Sequence, residues 1–499
     1  MSTRIHASDT EPPPISFPKD FEEQRPVIPY AFLVLSFLCV CLSFGCSLVI
    51  SLTLTQIHNY GNGSGGDFYA EWDFRYEDFG SSLINFTTQR RSYLSNPQKE
   101  MLKTVDSIGF LILLVPLICF YNKFGFCRGF LLTCAFSIVP SFFLPMFINV
   151  QTYVVAIMLR ILQGIGWICV VPFIGKLCAF LDVQENKYIS WMSFSYMQAS
   201  AVLVYPISGI IMATELGWHA PHHIVAASLL ILLILFMMCH YSEDFKWDVV
   251  EKRWTEIFRG HSLGSHLFTM RLPYLSIYQD FRIWVCFLAA AAHFSIIAFS
   301  LEVVPTIYVK VLDLEIGWAG FLAALGPAIS LPVGYFSIGL FEKLKSLTET
   351  NRLRFFHLLS TLFPALLFLV IAFIDPTEKG NLVMGLCTVA VAFSGFAYSG
   401  VFRMSQIRSK QFNAFVVVHL LVAQILSFFL TSLVTALISQ KNEYTAWRNL
   451  FMGETIVLVV SGGLFALCAS NEAAAWTSDG YQDTSMKPKR DDPLPQFPL

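Results

Sequence analysis

Long apolar runs alternate with short polar connectors from residue 29 to residue 469. A helix rises 1.5 Å per residue, so about 20 apolar residues cross the ~30 Å hydrocarbon core of a bilayer. The residue-by-residue alternation of apolar and polar side chains that is typical of a transmembrane barrel is absent. The pattern predicts an all-α polytopic membrane protein with about twelve transmembrane helices, at residues 29–57, 104–121, 130–149, 153–182, 189–214, 222–240, 282–308, 316–340, 354–374, 382–402, 412–439 and 449–469.

Composition narrows the class of protein further. The 499 residues are 55% hydrophobic and only 14% charged, whereas soluble domains carry about 25% charged residues. The formal net charge is −2, so no basic excess steers the chain to nucleic acid. We therefore expect the lipid bilayer as a partner and no nucleic acid, and we exclude a soluble enzyme.

Lysine and arginine predict the orientation of the chain. The short connectors predicted to lie outside hold four such residues, and the connectors predicted to lie inside hold most of the others. By the positive-inside rule both termini are cytosolic. The predicted segments are a cytosolic tail at 1–28, a first half at 29–240, a cytosolic central loop at 241–281, a second half at 282–469 and a cytosolic tail at 470–499.

The first outer connector, residues 58–102, is long and polar. It contains two glycosylation sequons, at Asn62 and Asn85. Oligosaccharide is added on the luminal side of the membrane, which is the side that the charge rule predicts for this loop. The sequence therefore predicts a glycoprotein in the plasma membrane or in a lysosomal or vesicular membrane.

The central polar stretch divides the spans into two groups of six. Six plus six spans with a cytosolic central loop and cytosolic termini describe the major facilitator fold. In that fold the substrate path lies near the midplane between the two halves, and the halves rock to alternate access.

Short motifs give a more specific resemblance, and they occur in order along the chain. They are Arg160-Ile-Leu-Gln163-Gly164-Ile-Gly166, Pro206-Ile-Ser208-Gly209, Pro305-Thr-Ile-Tyr308, Gly320-Phe321-Leu322, Trp447-Arg-Asn-Leu-Phe451 and Asn471-Glu472-Ala-Ala-Ala-Trp476. This series resembles the anion:cation symporter family, which includes sialin, the vesicular glutamate transporters and the sodium–phosphate cotransporters. The resemblance implies a secondary carrier of organic or inorganic anions driven by sodium, protons or membrane potential.

Two departures from that family limit what the resemblance implies. Trp167 stands where the family has a glutamate in the fourth span. The late part of the first span reads Gly45-Cys46-Ser47-Leu48, where the family has an arginine. The substrate and the coupling ion therefore cannot be carried over from the relatives.

Charged residues inside a membrane usually face a cavity, because a charge at the bilayer centre costs about 3 kcal/mol on insertion scales. Arg160 in the fourth span is the candidate anion clamp, since guanidinium offers a planar fork to carboxylate or phosphate. The alternative is that Arg160 extends its charge to the membrane surface or bridges helices. Gln163 of the same motif and His293 in the seventh span complete the predicted substrate-binding set. Asp106 is expected at the membrane interface.

Glu302 and His419 are the predicted ion-coupling residues. Glu302 could pair with a cation or carry a proton, and histidine titrates near physiological pH. The alternatives are an interfacial carboxylate and a histidine that hydrogen-bonds between helices. The coupling ion would be Na⁺ or H⁺, and no cofactor or metal is expected. Gly164 and Gly166 predict close helix packing, while Pro206 and Pro305 predict bends for gating.

These observations together favour a monomeric secondary transporter of small anions. No phosphate-binding loop, metalloprotease motif or nucleophile elbow is present, so the sequence supports neither an ATP-driven pump nor a membrane hydrolase. Two alternatives stay open: a non-transporting sensor or scaffold derived from the transporter fold, and a facilitator of monocarboxylates or neutral solutes.

Overall fold

The computed structural model describes residues 30–59, 93–180, 187–240, 273–438 and 444–478. The predicted glycosylation sites Asn62 and Asn85, the N-terminal tail and most of the central loop lie outside these residues. Eleven helices of the described chain are long and apolar enough to cross a membrane. A twelfth helix of 29 residues completes the bundle.

The first half contains six helices. They are α1 (Tyr30–Thr53), α2 (Asn96–Phe124), α3 (Phe126–Phe147), α4 (residues 153–180, formed by Tyr153–Gly166, Trp167–Cys169 and Val170–Phe180), α5 (Ile189–Met212) and α6 (Ala220–His240). Two short parallel strands, β1 (His58–Asn59) and β2 (Tyr93–Leu94), join the chain segments between α1 and α2. We call the end of the bundle that carries these strands the outer end.

The second half also contains six long helices. They are α7 (Phe281–Lys310), α8 (Ile316–Lys343), α9 (Glu349–Ala372), α10 (residues 376–409, formed by Pro376–Ser394, Gly395–Ser399 and Val401–Ser409), α11 (Asn413–Ile438) and α12 (Tyr444–Cys468). A short helix, Tyr274–Gln279, precedes α7 at the inner end. The all-helical membrane fold that the hydrophobic pattern predicts is confirmed.

The second helix is longer than its apolar run. It begins at Asn96 rather than at residue 104, because Ser95 caps it and forms a capping box with Gln98. It ends at Phe124, and Gly125 alone separates it from α3. Gly125 has a φ of 85°, which a residue with a side chain rarely adopts. The predicted connector around 122–129 is therefore a single glycine turn.

The two halves pack through two pairs of helices. α5 packs along α8, and α2 packs along α11. At the outer end the backbones of α5 and α8 approach closely, because a Cβ atom on Gly320 would lie 2.6 Å from the carbonyl oxygen of Tyr205. The hydroxyl of Tyr205 donates to the carbonyl of Leu301 in α7. The halves are therefore in contact at the outer end.

Contacts also join the halves at the inner end. The indole N–H of Trp191 in α5 donates to the carbonyl of Leu331 in α8, over 3.1 Å. Lys187 forms an ion pair with Glu342, with 3.1 Å between Nζ and Oε2. The described structure thus holds the two halves together on both sides of its centre.

Candidate functional site

Arg160 is completely buried in α4, with 1% of its surface exposed. Its Nη2 lies 2.9 Å from the Oδ2 of Asp106 in α2, which forms an ion pair. Its Nη1 donates to the hydroxyl of Ser47 over 2.9 Å and to the Oε1 of Gln163 over 2.7 Å. Its Nε donates to the carbonyl of Leu102 over 2.8 Å. Every nitrogen of the guanidinium therefore has a protein acceptor, and the arginine bridges α1, α2 and α4.

Close backbone contact brings Arg160 and Asp106 together. A Cβ atom on Gly164 would lie 1.8 Å from the carbonyl oxygen of Asp106, and one on Gly109 would lie 2.1 Å from that of Ile161. A Cβ atom on Gly166 would lie 2.0 Å from the hydroxyl of Ser137 in α3. Small residues allow such approach between membrane helices. The glycines of the Arg160 motif thus place the ion pair at the contact of α2 with α4.

Asp106 is buried, with 7% of its surface exposed. Its predicted position at the membrane interface stays a prediction. The close packing of α2 against α4, which the sequence pattern does not display, buries its carboxylate against Arg160. The hydroxyl of Ser47 donates to the same carboxylate.

Gln163 extends this network toward α1 and α3. Its Nε2 donates to the hydroxyl of Ser141 over 2.7 Å and to the carbonyl of Cys46 over 3.3 Å, while its Oε1 accepts from Arg160. All of these partners belong to the first half. In this conformation Gln163 holds helices together.

Glu302 lies in the second half, on a π-helical turn of α7, Phe299–Val303, which ends two residues before Pro305. Such turns insert an extra residue and often occur at functional sites. The hydroxyl of Ser432 in α11 donates to the Glu302 carboxylate. Glu100, Lys103 and Asp106 of the first half are its charged neighbours.

These side chains line a narrow cleft between the halves, with room for about one water molecule. We call Lys103, Asp106, Arg160 and Glu302 the charged cluster. The cleft is also lined by Phe44, Ser47, Leu48, Ser51, Trp167 and Phe428. The charged cluster combines two cations with two carboxylates, and it draws on both halves.

Trp167 connects the charged cluster to a second group of side chains, which carries no charge. We call Trp167, Tyr196, Gln198, Tyr398 and Gln424 the amide–aromatic cluster. The Gln424 amide of α11 donates to the Tyr196 hydroxyl of α5. Phe44 lies between the rings of Trp167 and Tyr196, with centroid distances of 5.0 and 5.7 Å. The Tyr398 hydroxyl of α10 faces the Gln198 side chain of α5.

Two polar atoms of the amide–aromatic cluster, Nε1 of Trp167 and Oε1 of Gln424, are buried without a hydrogen-bond partner in the described structure. Buried polar groups are normally hydrogen-bonded, so each such atom calls for an explanation. One is a donor and the other an acceptor, and they come from different halves.

His293 borders the amide–aromatic cluster. Its ring centroid lies 5.8 Å from that of Tyr398, and its side chain is fully buried. Neither ring nitrogen has a hydrogen-bond partner among the described residues. The structure thus places the predicted substrate-binding histidine at the edge of this cluster.

His419 lies apart from both clusters, near the inner end of α11. Its Nε2 lies 2.6 Å from the hydroxyl of Tyr278, and its Nδ1 lies 2.9 Å from the carbonyl of Phe415. Its ring stacks on Phe287, with 5.7 Å between centroids. Both nitrogens are therefore occupied by contacts within the second half.

Pro206 lies inside α5, in the segment that contacts α8.

The amide–aromatic cluster contains residues that the motif search did not identify. Gln198 and Gln424 are isolated amides inside long apolar runs, and that is the one signal that could have marked them.

No group of three or more histidine, cysteine, aspartate or glutamate side chains suited to a metal ion occurs among the described residues.

Comparisons with known proteins agree with the architecture. The family model described as Major Facilitator Superfamily matches residues 32–409. A search of curated proteins finds no match. Among solved structures, the crystal structure of a D-xylose–proton symporter has a TM-score of 0.60 and 15% identity, covering 86% of this chain and 97% of that chain. A partially occluded inward-open conformation of the xylose transporter XylE from E. coli has a TM-score of 0.60 and 14% identity, covering 87% and 96%.

Proposed function

Because this chain belongs to the major facilitator superfamily, we propose that it is a secondary transporter of a small, uncharged polar solute. The solute binds between the two halves, at the amide–aromatic cluster, and the halves rock around it. The transporter fold is shared with the two xylose transporters to which the structure is similar. The class of solute is our own inference from the chemistry of the cluster.

The observation that carries the proposal is the mixture of unpartnered donors and acceptors. The Trp167 indole offers an N–H, whereas Gln424 offers a carbonyl oxygen. An anion that has no O–H or N–H group supplies acceptors only, so it would leave the Gln424 amide oxygen without a donor. A hydroxylated solute both donates and accepts, and therefore satisfies the whole set.

The position of the cluster also supports alternating access. Gln198 and Trp167 belong to the first half, while Tyr398 and Gln424 belong to the second. A solute that contacts both halves stabilises the arrangement in which they close around it. This holds whichever side of the membrane the solute entered from. Facilitator-fold transporters bind near the midplane between such halves.

We propose Glu302 as the coupling residue and a proton as the coupling ion. Asp106 has a direct ion pair with Arg160. Glu302 has no ion pair among the described residues, although Ser432 donates to it. Of the two carboxylates in the charged cluster, Glu302 is therefore the one that can gain and lose a proton without breaking an ion pair.

Transport of a small organic or inorganic anion is the second candidate function. It is favoured by Lys103 and Arg160, which line the cleft between the halves. In this candidate the guanidinium of Arg160 exchanges Asp106 for the substrate in another conformation. The resemblance of the Arg160 motif to the anion:cation symporters supports the same idea.

Uptake into proteoliposomes separates these candidates. The panel contains radiolabelled sugars and polyols, monocarboxylates, dicarboxylates and phosphate, each with and without an inward proton gradient. We expect accumulation of an uncharged member, with loss in Gln198→Leu and Gln424→Leu. Gln56→Leu is the matched control, because Gln56 is exposed at the outer end of the bundle. Uptake of anions alone would favour the second candidate, and no uptake by folded protein would favour a sensor.

A further inference from the structure

A second pocket lies at the outer end, between the two halves and apart from the amide–aromatic cluster. It is a small cleft that is partly open to solvent. The first turns of α2 and the last residues of α7 supply most of its polar side chains. It is lined by Leu54, Thr55, Asn96, Lys99, Glu100, Lys103, Thr306, Lys310 and Trp447.

Positive charge dominates this outer pocket. Among the described residues that line it, Lys99, Lys103 and Lys310 carry ammonium groups and Glu100 carries the one carboxylate. Nζ of Lys103 lies 3.0 Å from Oε1 of Glu100, and Nζ of Lys99 donates to the carbonyl of Ile57. Lys310 ends α7 in the second half, whereas the other lysines belong to α2.

The backbone adds to the same positive potential. The N-terminus of a helix carries a partial positive charge, and basic residues in its first turns are unfavourable for that reason. Lys99 and Lys103 lie in the first two turns of α2, and both are buried. Burial and the nearby Lys310 and Lys103 lower the pKa of Lys99 to about 7. An anion in the pocket would offset the repulsion among the lysines and their unfavourable position at the helix N-terminus. It would also favour the protonated form of Lys99.

We propose that the outer pocket is a binding site for a small inorganic anion. The anion lies between the ammonium groups of the first half and Lys310 of the second half. Lys103 also donates to Thr306 of α7 over 3.3 Å, so the two halves already meet at this point. A bound anion adds a second link between them and stabilises the arrangement in which the outer end is closed. This proposal does not depend on the class of transported solute.

The test measures binding to the purified full-length protein in a neutral detergent. Thermal unfolding is followed in sodium gluconate, chloride, sulfate and phosphate at equal ionic strength. Lys310→Gln is the principal variant, because Lys310 is exposed and its replacement should leave folding intact. Lys379→Gln is the matched control, since Lys379 is an exposed lysine that does not line the pocket.

We expect at least one inorganic anion to raise the Tm of the original chain and of Lys379→Gln relative to gluconate. In Lys310→Gln the apparent affinity for that anion should fall roughly tenfold, as loss of a charge-assisted contact predicts. General salt effects act alike on all three proteins and are removed by the comparison. Lys99→Met provides a second variant from the other half and should weaken binding similarly.

Two results would overturn the proposal. One is an equal rise in Tm for the original chain, Lys310→Gln and Lys99→Met, because stabilisation would then not involve the pocket. The other is stabilisation by phosphatidylglycerol in nanodiscs with none by inorganic anions, because the ligand would then be a lipid headgroup.

Discussion

The carboxylate of Asp106 and the guanidinium of Arg160 form a buried ion pair that joins α2 to α4, with 2.9 Å between Oδ2 and Nη2. The arginine side chain is 1% exposed and the aspartate side chain is 10% exposed. Arg160 is therefore held by the protein in the conformation described. Whether it also binds substrate is a separate question, which the stability of variants can address.

Replacement of Arg160 should destabilise the first half. Arg160→Ala leaves the buried carboxylate of Asp106 without its counter-charge, which typically costs about 3–5 kcal/mol. We expect a marked loss of folded protein after detergent extraction, measured by size-exclusion chromatography and thermal unfolding. Arg160→Met combined with Asp106→Leu removes both charges and should recover part of the loss. A stable Arg160→Ala that loses only anion uptake would instead support the anion clamp.

Gly164 should tolerate no side chain. In Gly164→Ala the new Cβ atom would lie 1.8 Å from the carbonyl oxygen of Asp106, so α2 and α4 must separate. Overpacking of this kind costs about 1–3 kcal/mol, or more where backbone atoms are displaced. Gly463→Ala in α12 is the control, because nothing lies within 4 Å of its Cβ position. Equal Tm values for the two variants would contradict the close packing.

Glu302→Gln should separate transport from its driving force. The amide keeps the shape of the carboxyl group and its contact with Ser432, but it cannot exchange a proton. We expect proton-driven accumulation to be lost while solute exchange across proteoliposomes continues. Glu378→Gln, an exposed change at the outer end of α10, should retain both. Accumulation that survives in Glu302→Gln would exclude Glu302 as the coupling residue.

Anion binding in the outer pocket should weaken as pH rises through neutrality. The pKa of Lys99 is about 7, lowered first by burial and then by Lys310 and Lys103, while Glu100 opposes the shift. Below this pH Lys99 is protonated and attracts the anion; above it the side chain is neutral and contributes nothing electrostatically. Titrations between pH 6 and about 8.5 should show the change. In Lys99→Met the affinity for chloride should be lower and should change less with pH over that range.

The pattern of spans predicts the superfamily, whereas the short motifs predict a subfamily within it. The six-plus-six pattern of spans predicts the major facilitator fold, and that prediction is confirmed. The anion:cation symporter subfamily stays a prediction. The motifs behind it coincide with packing positions, since Gly164 and Gly166 touch neighbouring helices and Gly209 touches α8. Residues of this kind identify an architecture more readily than a substrate.

The sequence by itself determined the number, the approximate position and the type of the membrane helices. This was possible because crossing a bilayer depends on the length and hydrophobicity of one contiguous segment, which is a local property. The spans in each half could be counted for the same reason. Boundaries shifted where a capping residue, Ser95, or a single turn residue, Gly125, set the end of a helix.

Only the tertiary structure decided how the polar residues inside those helices are combined. Asp106 and Arg160 are 54 positions apart, and Tyr196 and Gln424 are 228 positions apart. The π-helical turn that presents Glu302 to the first half depends equally on packing. Such groups meet because each buried charge or amide must find a partner across neighbouring helices, and hydrophobic periodicity carries no information about which partner that is.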